Sequence, residues 1–475
     1  MVYLHCVAAR ELVMTVRGIG ARSHLGLSSL QCATGMRAMA LEPTRSPFMD
    51  LEGEPIGLAF ADSVAAELRG FERFVALGAP ALREATFRVR GVRMPMLLAL
   101  PDAERTDQRE DVRFERKLIE ALAKEAGLTI DKRKSRVVRG GHAGFALAAE
   151  HAKHMIGAHP DGIVIGGVDS YCYGSVLREL DERGALLRLS GGHGRIPSEA
   201  AAFVVVAEES IPTPGRPKRA MLRDASTERL GTSDEPGAAL GRLLRLFVNQ
   251  RLGPPSGPCW ILSDVNGEPS RTDRWLAAAA LAADVLEGSV HHDIVQHTAD
   301  VGAATGAYHA VLGITLARIG AVDSKKLFVA MTSDDALSGI VEFDLAKDAA
   351  GFQASRGDAR CHTIRRVVGA RGATSREGAQ LRRLARARLE DIASMAMLLR
   401  PDASSPRENP ESEPAPEEFA SRLLDSWDAF AALGTNVAGS VALGALEDVA
   451  KEFADAGLAD PPSRFAAAFV AKHLG

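Results

Sequence analysis

Along the chain, short apolar runs rich in Val, Ile and Leu alternate with longer stretches in which apolar side chains recur every three or four positions. The first pattern predicts strands and the second amphipathic helices, so their alternation predicts an α/β fold. "ELVMTVRGIG" predicts a strand, "FADSVAAELRGFERFVAL" a helix, "MPMLLALP" a strand, "DVRFERKLIEALAKEAG" a helix, and "DGIVIGGVDS" and "EAAAFVVVAEES" buried strands. The Pro- and Gly-rich "IPTPGRPKRA" then reads as a boundary. Beyond it the pattern restarts with "PGAALGRLLRLFVNQRL" as a helix, "PCWILSDVNG" as a strand, "RTDRWLAAAALAADVLEG" as a helix, and "KLFVAMTSDDALSGIVEFDLA" as a closing strand pair. Two α/β blocks of one kind stand in tandem.

The end of the chain has a different character. Arg382, Arg383, Arg386 and Arg388 crowd one predicted helix, and Pro401, Pro406, Pro410, Pro414 and Pro416 alternate with acids in the segment after it. Such a segment cannot bury enough apolar surface to order itself and reads as a linker. The expected organisation is an extension over 1–13, a first half over 14–212, a second half over 213–350, a connecting and basic helical segment over 351–400, the linker over 401–418, and helices over 419–475.

Composition narrows the function classes. A chain of 475 residues with 46% hydrophobic and 25% charged residues is ordinary globular material, and a net charge of −4 offers no general attraction to nucleic acid or anionic membrane. Cys6, Cys32, Cys172, Cys259 and Cys361 are scattered and odd in number, as expected of reduced thiols in a cytoplasmic protein. No apolar run is long enough for a membrane span. The opening "MVYLHCVAARELVM" lacks the basic start of a signal peptide.

Several motifs fail on inspection. "GIGARS" begins like a dinucleotide loop, but Ser23 stands where the third glycine is required. His151 and His154 share a helix face, and His291, His292, Asp293 and His297 cluster, but no zinc spacing accompanies either group, so solvated or capping histidines are the better reading. The arginine run is a solvated face. No cofactor and no metal is expected.

One stretch carries chemistry. In "VVRGGHAGFALAAEHAKHMIG", two β-branched residues end at a Gly pair, one polar side chain follows, and an alanine-rich helix opens at once, the way many enzymes present a nucleophile. That side chain is His142. The order of "VRGIGARSHLGLSSLQCATGMRAM", "RGGHAGF", "DGIVIGGVDSY", "RIPSEAAAFVVVAEE", "DVNGEPSRTD", "DVGAATGAYHAVLGI" and "MTSDDALSG" resembles that of the β-ketoacyl synthases of the thiolase superfamily, over about residues 14 to 345. The resemblance implies a thiolase-like fold: two similar α/β halves face to face in a layered αβαβα arrangement around a pseudo-twofold, here with a C-terminal helical extension. It also implies a site between the halves, acyl carrier protein or acyl-CoA as partners, and a homodimer or a heterodimer with a synthase-like partner.

The chemistry implied by that family needs a thiolate at a helix N-terminus, which the dipole and backbone amides stabilise. His, or His and Asn, from the second half then serve the decarboxylated unit. Here the nucleophile position falls on His142, or on Gly141 if the spacing to Gly166 is counted without a gap; Asn266 replaces one His, and Ala299 occupies the place of the other, with His297 and Asp300 flanking it out of register. Without a cysteine at the elbow, an acyl chain cannot be stored there. Three readings follow: a synthase-like protein without condensing activity that binds an acyl chain, a carrier or a catalytic partner; an active acyltransferase with relocated residues, His142 as base beside Asn266 or Cys172 as displaced nucleophile; and a structural component of a bacterial assembly. What discriminates them is whether a continuous apolar tunnel lies between the halves and ends at His142; a filled interface would favour the third.

Overall fold

The computed structural model describes residues 14–345 apart from 39–40, 42, 62, 90, 103–104, 106–111, 189–190, 209–218, 250–258, 320 and 323. The expected extension over 1–13, the boundary at 212/213 and everything expected beyond 345 therefore lie outside the described residues.

The first half begins with β1 (Met14–Ser23) and α1 (Ser29–Ala38), followed by a small hairpin of β2 (Thr44–Met49) and β3 (Pro55–Leu58). It continues through α2 (Gly70–Thr86), β4 (Met96–Leu100), α3 (Val112–Ala126), β5 (Arg136–Arg139), α4 (Gly144–Met155), β6 (Ile163–Ser170), α5 (Gly174–Glu182) and β7 (Glu199–Glu208). The second half runs β8 (Met221–Arg229), α6 (Ala238–Asn249), β9 (Cys259–Ser263), α7 (Pro269–Leu281), α8 (Ala283–Leu286) and β10 (Val290–Asp293). It closes with α9 (Val295–Thr298), α10 (Thr305–Arg318), β11 (Lys326–Thr332) and β12 (Leu337–Asp344).

Among the described residues two compact units are distinguished. The larger comprises residues 14–24, 41–311 and 324–345; the smaller comprises residues 25–38 and 312–322. In the smaller unit, α1 starts on a variant of the capping box: Ser28 Oγ accepts from Gln31 N at 3.2 Å, and Gln31 Oε1 accepts from Leu27 N at 2.7 Å.

Within the larger unit the strands follow the order β10-β9-β11-β12-β8-β1-β7-β6-β4-β5. The order is the same read inward from either end. In each half the two outermost strand pairs are parallel (β5 with β4 and β4 with β6; β10 with β9 and β9 with β11) and the inner two pairs antiparallel. The halves join where Met14 and Thr15 of β1 face Leu222 and Met221 of β8. This is the expected thiolase-like α/β architecture, with its internal twofold written in the strand order.

Layering follows from side-chain size and pattern. β6 is buried along its whole length, as a strand covered on both faces must be. α4 packs on β4 and β6 of the first half and on β8 and β12 of the second. It fits there because its buried positions are mostly small: Gly144, Ala146, Ala148, Ala149 and Ala152. α2 and α3 cover the outer face of the first half, where Leu118, Ile119, Leu122, Ala123 and Ala126 give α3 one apolar stripe. α6 and α7 pack on each other and cover the second half.

Two expected helices are shorter than their patterns. The helix predicted from Phe60 begins only at Gly70, whose φ is +52°. The preceding backbone is satisfied differently: Ala61 N donates to Glu199 Oε1 at 2.9 Å, and Arg73 Nη1 donates to the carbonyls of Ala65 (3.1 Å) and Leu68 (3.2 Å). Arg73 and Glu199 are themselves a fully buried bidentate pair at 2.5 and 2.6 Å. A buried ion pair supplying its own backbone partners overrides apolar periodicity. The helix predicted from Arg271 breaks at Ala282 into α7 and α8.

Candidate functional site

The carboxyl ends of parallel strands, where α/β sheets place ligands, bring residues from both halves together. After β5 the chain makes a short 3₁₀ turn, Gly141–Ala143, that opens α4. After β10 and α9 it makes the corresponding turn, Gly302–Ala304, that opens α10. Both turns start on a glycine of positive φ, +46° at Gly141 and +57° at Gly302. A Cβ on Gly141 would lie 2.4 Å from Asp102 Oδ2, and one on Gly302 would lie 2.0 Å from Asp169 Oδ2, so only glycine fits either place.

Asp300 is the hub. Its Oδ1 lies 2.7 Å from His142 Nε2 and accepts from Gly302 N at 2.8 Å; its Oδ2 accepts from Asn266 Nδ2 at 2.7 Å and pairs with Arg195 Nη1 at 3.2 Å. Burial alone would raise this carboxyl, but His142, Arg195 and Arg271 hold it well below the usual range. Arg271, fully enclosed, donates from Nη1 to Asp264 Oδ2 at 2.6 Å and from Nη2 to Asp334 Oδ1 at 2.6 Å. Burial would lower it, and Asp264 and Asp334 raise it instead.

The second ring nitrogen of His142 is occupied as well. Arg271 Nη2 stands 3.3 Å from His142 Nδ1. A guanidinium has donors only, so Nδ1 is the acceptor and Nε2 carries the proton that Asp300 receives. The backbone around it is equally engaged: Ala143 N donates to Ser333 Oγ at 2.9 Å, and Ser333 Oγ donates to Gly140 O.

A pocket of about 280 Å³ opens over His142. Nine of its sixteen lining residues are Asp, Glu, Arg or His. Arg195 lines it, donating to Glu268 Oε1 at 2.7 Å and to Tyr171 Oη at 3.0 Å. Arg105 grips Asp169 through both nitrogens, at 2.7 and 2.9 Å, above the Tyr171 ring. Among the described residues Asp102 has no such partner, and burial with Asp335 nearby raises its carboxyl to about 6. Ligand pockets for apolar chains have mostly apolar walls. This one does not.

Of the residues named from sequence, the structure brings together His142, Asn266 and Asp300. The Asn266 side chain faces this hub, and its Oδ1 accepts from Glu268 N at 3.2 Å in the turn that Gly267 completes at φ +92°. His297 lies on α9 apart from the hub, its Nδ1 buried and unpartnered. Cys172 is buried beyond β6, where its amide takes Ser170 Oγ at 3.1 Å, and burial pushes its thiol up. It does not line the pocket. Among the described residues no group of His, Cys, Asp and Glu is arranged to hold a metal ion. Sequence reasoning missed Arg195 and Arg271 as site residues. Each sits inside a quoted motif, "RIPSE" and "EPSRTD", where arginine has no spacing signal of its own.

Comparison with known proteins is consistent with this geometry. No family model matches the chain, and no curated protein sequence does. Solved structures do. The ishigamide ketosynthase/chain length factor is similar at a TM-score of 0.52 and 18% identity, over 70% of this chain and 99% of that one. The fold is that of the ketosynthases. A ketosynthase, ApeO, in complex with its chain length factor, ApeC, from Xenorhabdus doucetiae matches at a TM-score of 0.54 and 12% identity, over 70% of this chain and 98% of that one. The oxazolomycin ketosynthase domain of OzmH from Streptomyces albus JA3453 matches at 0.55 and 13% identity, over 88% and 93%. Among the described residues no helix is long and apolar enough to cross a membrane.

Proposed function

We propose that this chain is a ketosynthase-fold protein without condensing activity, which acts by pairing with a synthase-like catalytic partner. The observation that carries this reading is the state of His142: at the elbow where a nucleophile would stand, both of its ring nitrogens are engaged, one with Asp300 and one with Arg271. An imidazole with no free lone pair is neither a base nor a nucleophile. The ionic walls of the pocket support the same conclusion, because an acyl chain would have to displace paired charges to enter. The relocated-enzyme reading has less support, since Cys172 does not line the pocket and its burial disfavours the thiolate.

The test is to incubate the full chain with acyl-coenzyme A and acyl-carrier donors and measure its intact mass. No stable adduct is expected, and no malonyl-dependent release of carbon dioxide. An adduct mapped to Cys172 would establish the displaced nucleophile, and carbon dioxide release would overturn the proposal.

A further inference from the structure

The chain between the second-half sheet and Asp300 has a construction that the site does not use. β10 is the edge strand beside β9, with Val290, His291, His292 and Asp293 opposite Trp260, Ile261, Leu262 and Ser263. Alternate side chains of a strand point to opposite faces, and here each face is closed by an indole–imidazole contact. On one face the His291 ring stacks on Trp275 of α7, centroids 4.2 Å apart and planes at 22°, with Nε2 2.8 Å from Ser263 Oγ. On the other, Trp260 Nε1 donates to His292 Nδ1 at 2.8 Å.

Indole N–H only donates, so this second contact exists only while Nδ1 of His292 is unprotonated. A proton there sets two N–H groups against each other. Positive φ brackets the segment at both ends: Gly288 at +77° and Ala299, a non-glycine, at +54°. Beyond Ala299 the chain is fixed again, since Asp300 N donates to Ile196 O at 2.9 Å and Ser198 N donates to Asp300 O at 2.8 Å.

We infer that residues 289–298 form an acid-released strap over the edge of β9, locked at neutral pH by the two indole–imidazole contacts and pivoting at Gly288 and Ala299. The titratable groups around it are His291 and His292 on the two faces of β10, Asp293 on the same strand, His297 on α9, and Asp264 just past β9, the last held by Arg271. Burial and His292 push His291 below its ordinary value. A lowered histidine destabilises the folded strap as pH falls below about 6.5. Asp293 acts in the opposite sense: burial, with Asp264, raises it to about 6 against the amide of Val295, so it takes up a proton in the same range. That uptake offsets part of the histidine effect and also removes the carboxylate that would neutralise a new imidazolium beside it.

The test uses the full chain carrying Trp427→Phe, so that Trp260 and Trp275 alone report in fluorescence, together with hydrogen exchange of peptides covering 289–298, at pH 7.5 and 5.5 with times scaled for intrinsic exchange. Relative to peptides of β6 and β7, protection over 289–298 is expected to fall about tenfold at pH 5.5, the equivalent of one net hydrogen bond, with a parallel change in tryptophan emission. His292→Asn, or His292→Gln, keeps an acceptor for Trp260 without titrating and is expected to retain the protection. Asp293→Asn is expected to enlarge the loss. Unchanged relative protection in the parent chain between the two pH values, or an equal loss in the His292 variants, would overturn the inference.

Discussion

Asp300 is the residue whose replacement tests the site most directly. Asp300→Asn keeps the shape and removes the charge. The remaining carbonyl oxygen can still accept from His142 Nε2 and Gly302 N, which lie 2.7 and 2.8 Å from Oδ1. The new amide nitrogen, however, faces Asn266 Nδ2 at 2.7 Å and Arg195 Nη1 at 3.2 Å, so donors oppose a donor. Asn266 cannot invert freely to relieve this, because its Oδ1 already receives Glu268 N. Breaking one side of a buried charge network costs about 3–5 kcal/mol; Arg195 keeps Glu268 at 2.7 Å, which places the expected loss at the lower end, about 3 kcal/mol.

Equilibrium unfolding in guanidinium, followed by far-ultraviolet circular dichroism, measures it. Because the folded-state carboxyl is depressed, its contribution is present above the ordinary aspartate value of about 3.9 and is lost only as pH falls toward the folded value. The gap between parent and variant should therefore stay constant from about pH 8 to pH 5 and close only below about 4. A loss under about 1 kcal/mol at neutral pH would refute the assignment of Asp300 as a buried, charge-bearing hub. A gap that vanished between pH 7 and 5 would do so as well.

Two further substitutions test the packing. Gly302→Ala places a Cβ 2.0 Å from Asp169 Oδ2 at a φ of +57°, and should cost more than about 2 kcal/mol, whereas Gly53→Ala, also at positive φ but with nothing within 4 Å, should cost about 1 kcal/mol; equal shifts in melting temperature would show that the contact is unimportant. Arg73→Met should lower stability by about 3–5 kcal/mol and expose residues 61–69 to protease, since Arg73 holds the Ala65 and Leu68 carbonyls; a cycle with Glu199→Gln that gives no coupling energy would count against the pair.

Much of the fold was legible because it is written in periodicity. β6 is buried end to end and β7 up to its last residue, and such strands announce themselves as long apolar runs. The two halves stood out because the alternation of strands and helices restarts after "IPTPGRPKRA". His142, Asn266 and Asp300 were singled out through the resemblance of "RGGHAGF", "DVNGEPSRTD" and "DVGAATGAYHAVLGI" to β-ketoacyl synthase motifs. Residues 60–69 were misread because their backbone partners, Arg73 and Glu199, combine a neighbour in sequence with a strand far along the chain, and periodicity carries no trace of such a pairing. Arg195 and Arg271 escaped for a related reason. A buried arginine is specified by the carboxylates around it, and those come from Glu268, Asp264, Asp300 and Asp334, which only the closed fold assembles.

The symmetry of the sheet also governs how the molecule keeps to itself. The strand order ends at β5 on one side and β10 on the other, each four residues long. Open strand edges invite addition of foreign strands, and short length and inward or flanking charge are the usual defences. On β5 the guard is permanent, with Arg136 exposed and Arg139 paired to Glu115 at 2.8 Å. On β10 the corresponding side chains are His291, stacked on Trp275, and His292, which accepts from Trp260. The two ends thus differ in what deters self-association: one edge carries a permanent charge, and the other relies on brevity and its aromatic cover.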